Sequence, residues 1–534
     1  MNRHWRPGIL TRLVVLVAVL AMVTAACSSD DDAADDDVVV DASGISQADL
    51  DAVEGELADA EAQVSALEGQ LASAQVTTQV VQAGELAAAP ASAEIPDDGW
   101  TNAESIRGGL FLEAEFPSDG PDAWDIAASP RVYFTSESYQ SNYFQDNDLP
   151  EEVGNFAGYH VIDAYSKEVV ASHRLDYGGT VTRGPHGIAV SPDGNWVYVG
   201  WMAENDAGDR YGYVAIVNAQ TGLMDKVLRQ ESYFEGGTRS QAIHHIQCWT
   251  RDATGEDYCI LQWGFGANGG PHHIIMPNDN NRVFRSITYD DVKPMGHPFT
   301  TPSPDGEYLY ISMGSNWIRD GHDTAGVAKY ELETGKHDVI TNTGSHPIGI
   351  THTQDGRFTY VVDGHGGQLY KVDNETNEVV DHNNAGIAGP YGICLTYDET
   401  EAWIDGKGEG TANLGNSMAI FDLGERFRAS RDHGTTPFYL GGSASSVDHC
   451  ALHPDGDEIW ISNMKGWETI VVDLNTDTVE AYIATPNNGD THGMAFVWYD
   501  GGWDDGVLMV DQGGPKAQSL QDTIRANAEA AAAG

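Results

Sequence analysis

One motif recurs through most of the chain and sharply limits what it can fold into. GPHGIAVSPDGNWVYVG begins at Gly184, GHPFTTPSPDGEYLYIS at Gly296, SHPIGITHTQDGRFTYVVD at Ser345, GPYGICLTYDETEAWID at Gly389 and VDHCALHPDGDEIWIS at Val447. Each copy is a strand, a Pro-Asp-Gly-type turn and a second strand rich in Tyr, Val, Ile and Trp. A second hairpin such as YKVDNETNEVV or IVVDLNTDTVEAYI follows, turned by Asn, Asp or Gly. Four strands in a repeat of about 50 residues make a β-propeller blade. A degenerate copy starts at His244 (HHIQCWTRDATGEDYCILQW), and a half copy at Thr491 (THGMAFVWYDGGWDDGVLMVD). The residues just before the inner strands are His186, His245, His297, His346, Tyr391, His449 and His492, spaced by 43 to 59 residues. Seven starts predict an all-β, seven-bladed propeller over 105–516. The last repeat lacks outer strands, whereas 131–173 supplies strands without an inner start, so the two pieces should close one blade. The aspartates of the turns (Asp193, Asp305, Asp355, Asp455) are turn formers.

Before the propeller the chain reads differently. Arg3, Arg6 and Arg12 precede the apolar run Leu13–Val23, which is short for a membrane span, and Thr24-Ala25-Ala26-Cys27 follows. Residues 1–26 thus read as a lipoprotein signal peptide, with Cys27 the lipidated residue and the mature protein anchored outside the cytoplasmic membrane, in the periplasm or at the cell surface. An ordinary signal peptide cut after Ala26 is the alternative. Residues 27–104 form an acidic tether, a helix and a linker. Leu50, Val53, Leu57, Ala60, Val64, Leu67, Leu71 and Ala74 keep a 3-4 spacing, either a coiled-coil seam that makes a homo-oligomer through residues 50–74 or a lone helix. Residues 517–534 read as a C-terminal helix or tail.

Acidic residues number 81 against 28 basic ones, a net charge of -53. Such a surface repels nucleic acid and suits cationic partners. Of the four cysteines after Cys27, Cys248 and Cys259 share a hairpin, and Cys394 and Cys450 start successive repeats; this pairing is one of three connectivities. None has the Cys-x2-Cys spacing of a metal site.

These repeats resemble the YVTN-type propeller family, which includes lactonase-like enzymes and surface lipoproteins. The resemblance covers about 131–511 and speaks for fold more than for activity.

The histidines carry the functional expectation. Inner strands line a propeller's central channel, so residues at their entry ends converge near the axis. His186, His244, His245, His297, His346, His449 and His492 would place seven imidazoles there. Protonated, they would repel one another; neutral, they are good ligands for copper, zinc, iron or nickel. Seven donors exceed the needs of one ion, which points to a multinuclear centre, with copper first in the affinity order. No carboxylate occupies the equivalent positions, which argues against a calcium or magnesium lactonase centre. A structural role for the ring, packing the channel, is the competing reading.

A seven-bladed propeller with seven such histidines, one pair adjacent, is similar to the catalytic domain of nitrous oxide reductase. That resemblance implies a tetranuclear copper-sulfide cluster, nitrous oxide as the small-molecule substrate, and His244-His245 as the paired ligands. The family's cupredoxin domain has no counterpart after 511, so electrons are expected from a separate cytochrome or cupredoxin. Tyr391, Lys465, His352 and His453 are candidate catalytic residues around the cluster. His272, His273, His322 and His365 are expected on loops. Asp279, Asn280 and Asn281 could bind calcium or simply turn the chain. Two alternatives stand beside this copper oxidoreductase: a non-catalytic propeller that binds protein or glycan, and a lactonase-like hydrolase.

Overall fold

A computed structural model describes residues 79–80 and 110–516, apart from 127–129, 138–156, 176, 231–242, 264–270, 288–290, 293–294, 314–325, 409–414, 430–436, 443 and 487–488. Cys27, the 50–74 seam, His322 and the 517–534 tail therefore lie outside the described residues.

The described strands form seven sheets, one per blade, antiparallel except where Gln79–Val80 pairs in parallel with Val169–Leu175. Blade 1 runs outward from Ile188–Val190 through Trp196–Glu204, Arg210–Asn218 and Met224–Gln230, and Leu110–Glu115 pairs along its outer edge. The inner strands of blades 2 to 6 are Ile243–Arg251, Met295–Pro302, Pro347–His352, Ile393–Leu395 and Val447–Leu452. Blade 7 is made from both ends of the propeller. Its inner strand Met494–Tyr499 pairs with Pro130–Glu137, with Val132 opposite Phe496, and Ala157–Asp163 and Val169–Leu175 follow outward. This is the expected closure.

One strand departs from expectation. Gly506–Asp511 does not join the outer part of blade 7; it pairs with the axial side of Met494–Tyr499, and Gly514–Pro515 folds back upon it. The two outward positions beside Met494–Tyr499 are already filled by the chain from 130–163. The second strand of the half repeat is therefore left to lie within the ring.

Near-continuous apolar runs such as Trp196–Glu204, Tyr308–Met313 and Phe358–Asp363 bury both faces of the middle strands and build the blade interfaces. Trp201, Trp249, Trp263, Trp403 and Trp460 are fully buried. Across blades 6 and 7, Trp460 meets Phe496 edge-on at 5.7 Å and Phe134 stacked at 6.4 Å. The turn aspartates behave as read: Asp193 Oδ1 accepts from Ser191 Oγ and from the Asn195 amide, and Asp305 and Asp355 repeat the pattern. Disulfides join Cys248 to Cys259 within blade 2 and Cys394 to Cys450 between blades 5 and 6.

Candidate metal centre

The residues just before and at the start of the inner strands meet at one end of the channel. In blade 2 a register shift between Ile243 and His245 inserts an extra residue, which brings both His244 and His245 into the cluster. Gly187 follows His186, and a Cβ there would stand 2.7 Å from the His245 Cα, so only glycine allows blade 1 this close. Backbone anchors hold the others. The His492 amide donates to Thr135 Oγ1 at 2.8 Å, the His449 amide to Ser462 Oγ at 3.1 Å, and the His346 amide to Asp363 Oδ1 at 2.9 Å.

Five imidazoles form a continuous buried group. Ring centres lie 3.3 Å apart for His186 and His492, 4.1 Å for His186 and His244, 4.2 Å for His244 and His245, and 4.9 Å for His245 and His449. Two donor sets emerge: His186, His244 and His245 form one, and His186, Asp448, His449 and His492 the other. Within each, the ligand atoms fall within 4.8 Å of one another. His186 belongs to both.

Two of the seven ring histidines lie outside these donor sets. His346 sits at the same end of its blade, but its ring stacks on His365 at 4.4 Å and it belongs to neither donor set. His297 lies on the inner strand of blade 3, and its side chain is outside the described residues.

A carboxylate, absent from the expected positions, enters one residue earlier. Asp448 is completely buried, and its Oδ2 lies 2.5 Å from His492 Nδ1. Its Oδ1 accepts from Ser462 Oγ at 2.6 Å. Burial alone would raise the Asp448 carboxyl, but His492, His449 and Lys407 together hold it below the usual carboxylate range. Burial pushes His449 down to about 3 against the pull of Asp448, so its imidazole is neutral at ordinary pH. Asp405, also buried, is driven well above the normal range by burial and then by Asp448.

Lys407, like Asp448, is a side chain beside the cluster that sequence reasoning missed. Its Nζ lies 3.6 Å from Asp448 Oδ2 and 3.7 Å from the centre of the Tyr391 ring. Tyr391 is buried and meets His449 at 5.2 Å, as its place in the ring predicted. Lys465 occupies the matching turn of blade 6, half-buried, its amide donating to the Ser445 carbonyl. The signal for Lys407 was the repeat itself: Asp363-Gly364-His365, Asp405-Gly406-Lys407 and Asn463-Met464-Lys465 end equivalent strands.

His352 and His453 stand at the opposite end of their inner strands. At about 3.3 Å per residue they are ~20 Å beyond His346 and ~13 Å beyond His449 along the strand. His352 pairs with Thr359 Oγ1 at 2.9 Å, and His453 Nδ1 accepts the Asp455 amide. His272 and His273 are not loop residues; both are buried on the strand His272–Met276, with His273 bound to Ser286 and Gln230. The 279–281 segment is a turn: Asn280 and Asn281 have positive φ, Arg282 Nε pairs with Asp279 at 2.6 Å, and Asn281 accepts from Tyr198. An arginine stands where a calcium ion would have to bind.

No family model matches this chain, and no curated protein does. Among solved structures, a Lactobacillus plantarum protein is 11% identical, with 68% of this chain and 98% of that one covered at a TM-score of 0.47. The periplasmic gluconolactonase of Pseudomonas aeruginosa is 14% identical, with 69% and 99% covered at a TM-score of 0.45. A dihydro-heme d1 dehydrogenase is 15% identical, with 76% and 82% covered at a TM-score of 0.40. At these levels the likeness concerns the fold alone.

Proposed function

We propose that the axial histidine cluster holds a multinuclear copper centre that reduces a small oxo-substrate of the nitrous oxide type. The observation that carries this reading is the sharing of His186 between two buried donor sets. Two sets joined at one imidazole suit adjacent ions better than a single one. Nitrogen donors that burial keeps neutral, as it does His449, select borderline and soft transition metals over calcium or magnesium. Asp448 against His492 Nδ1 supplies the outer charge contact that would orient a ligating imidazole.

Bound copper would supply electron storage for a reaction that consumes two electrons and two protons and gives dinitrogen and water. The chain's own part is binding, positioning and protons. His186, His244, His245, His449 and His492 hold the centre. Phe299, 5.0 Å from His245 and almost wholly buried, keeps water from one side. Lys407, its Nζ 3.6 Å from Asp448 Oδ2, would be the group that holds and delivers a proton. Electrons come from a separate cytochrome or cupredoxin of cationic surface, suited to a net charge of -53. Two disulfides support a working place outside the cytoplasm, in keeping with a lipid anchor at Cys27.

A second reading rests on Asp448 and Asp405, two buried carboxylates at the same spot. These suit a single hard divalent ion and a metal-assisted hydrolysis of lactone type. Anaerobic purification from copper-replete cells separates the two. The first reading expects at least two coppers per chain, a visible charge-transfer band and nitrous oxide reduction by a reduced viologen. Less than one copper per chain, together with lactone hydrolysis on adding zinc or calcium, would overturn it.

A further inference from the structure

Beneath the histidine cluster the channel is not apolar. The inserted strand Gly506–Asp511 and the turn after it place Asp511, Gln512 and Lys516 on the axis, all nearly fully buried. Lys516 Nζ pairs with Asp511 Oδ1 at 2.5 Å. Gln247, two residues beyond His245 on the blade 2 strand, meets the same turn: a Cβ on Gly513 would lie 3.2 Å from its Nε2. Gln512 reaches upward, and a Cβ on Gly493, next to His492, would lie 2.7 Å from its Nε2.

Several polar atoms here have no hydrogen-bond partner within the protein. They are both amide atoms of Gln247 that can bond, Nε2 and Oε1, with Gln512 Oε1 and Asp511 Oδ2. Buried polar atoms left unbonded are costly, and folded proteins meet that need with ordered water. The same column opens downward into a cleft between Asp511, Gln512, Gly514 and the far ends of the blade 4 to 6 inner strands, at Thr351, His352 and Leu452.

We propose that this column holds a file of ordered waters that runs from the far face of the propeller to the floor of the histidine cluster and carries protons to it. The inference rests on the reductase reading for its purpose, since that reaction consumes protons at a buried site. Each transfer breaks an O–H bond on one water and forms one on the next; Gln247, Gln512 and Asp511 orient the waters without being consumed.

A crystal structure of the holoprotein at high resolution tests the file directly. Ordered waters within hydrogen-bond distance of Gln247, Gln512 and Asp511 are expected; a dry column in which these side chains bond one another overturns the proposal. This readout stands whether or not nitrous oxide is the substrate, so the two readings fail separately. The functional arm uses Gln512→Leu, which fills the column with apolar atoms. Copper content and the cluster spectrum should stay at wild type, while viologen-driven turnover falls about tenfold and its solvent deuterium isotope effect rises. Gln512→Glu, which keeps the hydrogen bonding, should restore turnover to within about twofold. Waters present but turnover and isotope effect unchanged in Gln512→Leu would overturn the proton route.

Discussion

The two walls of the cluster differ in kind. Blades 1, 2, 6 and 7 present five packed imidazoles, with charge confined to Asp448. Blades 4 and 5 present His346 on His365, then Tyr391, Asp405 and Lys407. On the proposed reading, one wall would hold the metal and the other would carry charge and protons. The same position in the repeat serves both, because the inner-strand entry aims a side chain at the axis whatever that side chain is. The turn after the second strand, at the same end, adds a second aim point, and blades 4 and 5 place His365 and Lys407 there against a ring residue.

His186→Ala gives the largest break in this comparison. Removing the imidazole shared by both donor sets should leave less than one copper per chain by mass spectrometry and abolish turnover, about 1,000-fold or more. If copper stays at two or more per chain, the holding wall does not depend on His186. Lys407→Met attacks the other wall. It keeps the length of the side chain and removes its proton, so turnover should fall about 100-fold with copper content unchanged. Loss of copper in that variant would place Lys407 among the holding residues instead.

Asp448→Asn probes the join between the walls. It keeps shape at His492 but removes the charge, and an outer partner of a ligating histidine typically sets affinity by 10- to 100-fold. Competition against a copper chelator should show a loss of about that size, with turnover per bound copper falling less than in Lys407→Met.

Metal removal sharpens the contrast with histidines that never face the axis. His160 and His272 are pushed down to about 3, His173 to about 4 and His273 to about 3, in each case first by burial. Below the unfolded value of about 6.5 the unfolded chain binds protons that the folded one refuses. Their stability contribution is complete above that pH and is lost as pH falls toward 3 to 4. Each costs up to about 1.4 kcal/mol per pH unit. Carboxyls raised by burial, Asp405 and Asp511 among them, work the other way, but His346, His352 and His449, each pushed down to about 3 by burial, add to the four. The apoprotein should therefore unfold at clearly lower denaturant at pH 5.5 than at pH 7.5.

Much of this was legible in the repeat. Seven inner-strand starts, the closure by 131–173 and the His186, His244-His245, His449, His492 convergence follow from strand periodicity and turn chemistry, which are local. What was not legible depends on which strand finds which edge. Gly506–Asp511 looks like an ordinary second strand, and only the prior claim of Pro130–Glu137 on the outward edge sends it into the channel. Lys407 and Asp448 were hidden for a related reason. Each lies outside the seven ring positions, in the turn after the second strand or one residue before the ring, and becomes part of the site only when neighbouring blades bring Tyr391 and His492 against it. His352 and His453 failed as candidates because nearness in sequence to a ring position is distance along a strand, not nearness in space.

Tyr391 makes the finest test of the two-wall picture. It fills the one ring position without an imidazole, and its flat face, not its hydroxyl, meets Lys407 at 3.7 Å. Its ring also meets His449 at 5.2 Å and is almost completely buried, so its bulk shapes the cluster's side. Phenylalanine keeps both the face and the bulk. Tyr391→Phe should leave copper content unchanged and shift turnover by no more than about threefold, since a cation over an aromatic face loses little on that change. Tyr391→Leu keeps apolar volume but removes the face; Lys407 then loses its seat, and turnover should drop toward the Lys407→Met value while copper stays bound. A Phe variant as impaired as Lys407→Met would mean that the hydroxyl itself takes part, and that the charge-bearing wall extends one residue further around the ring.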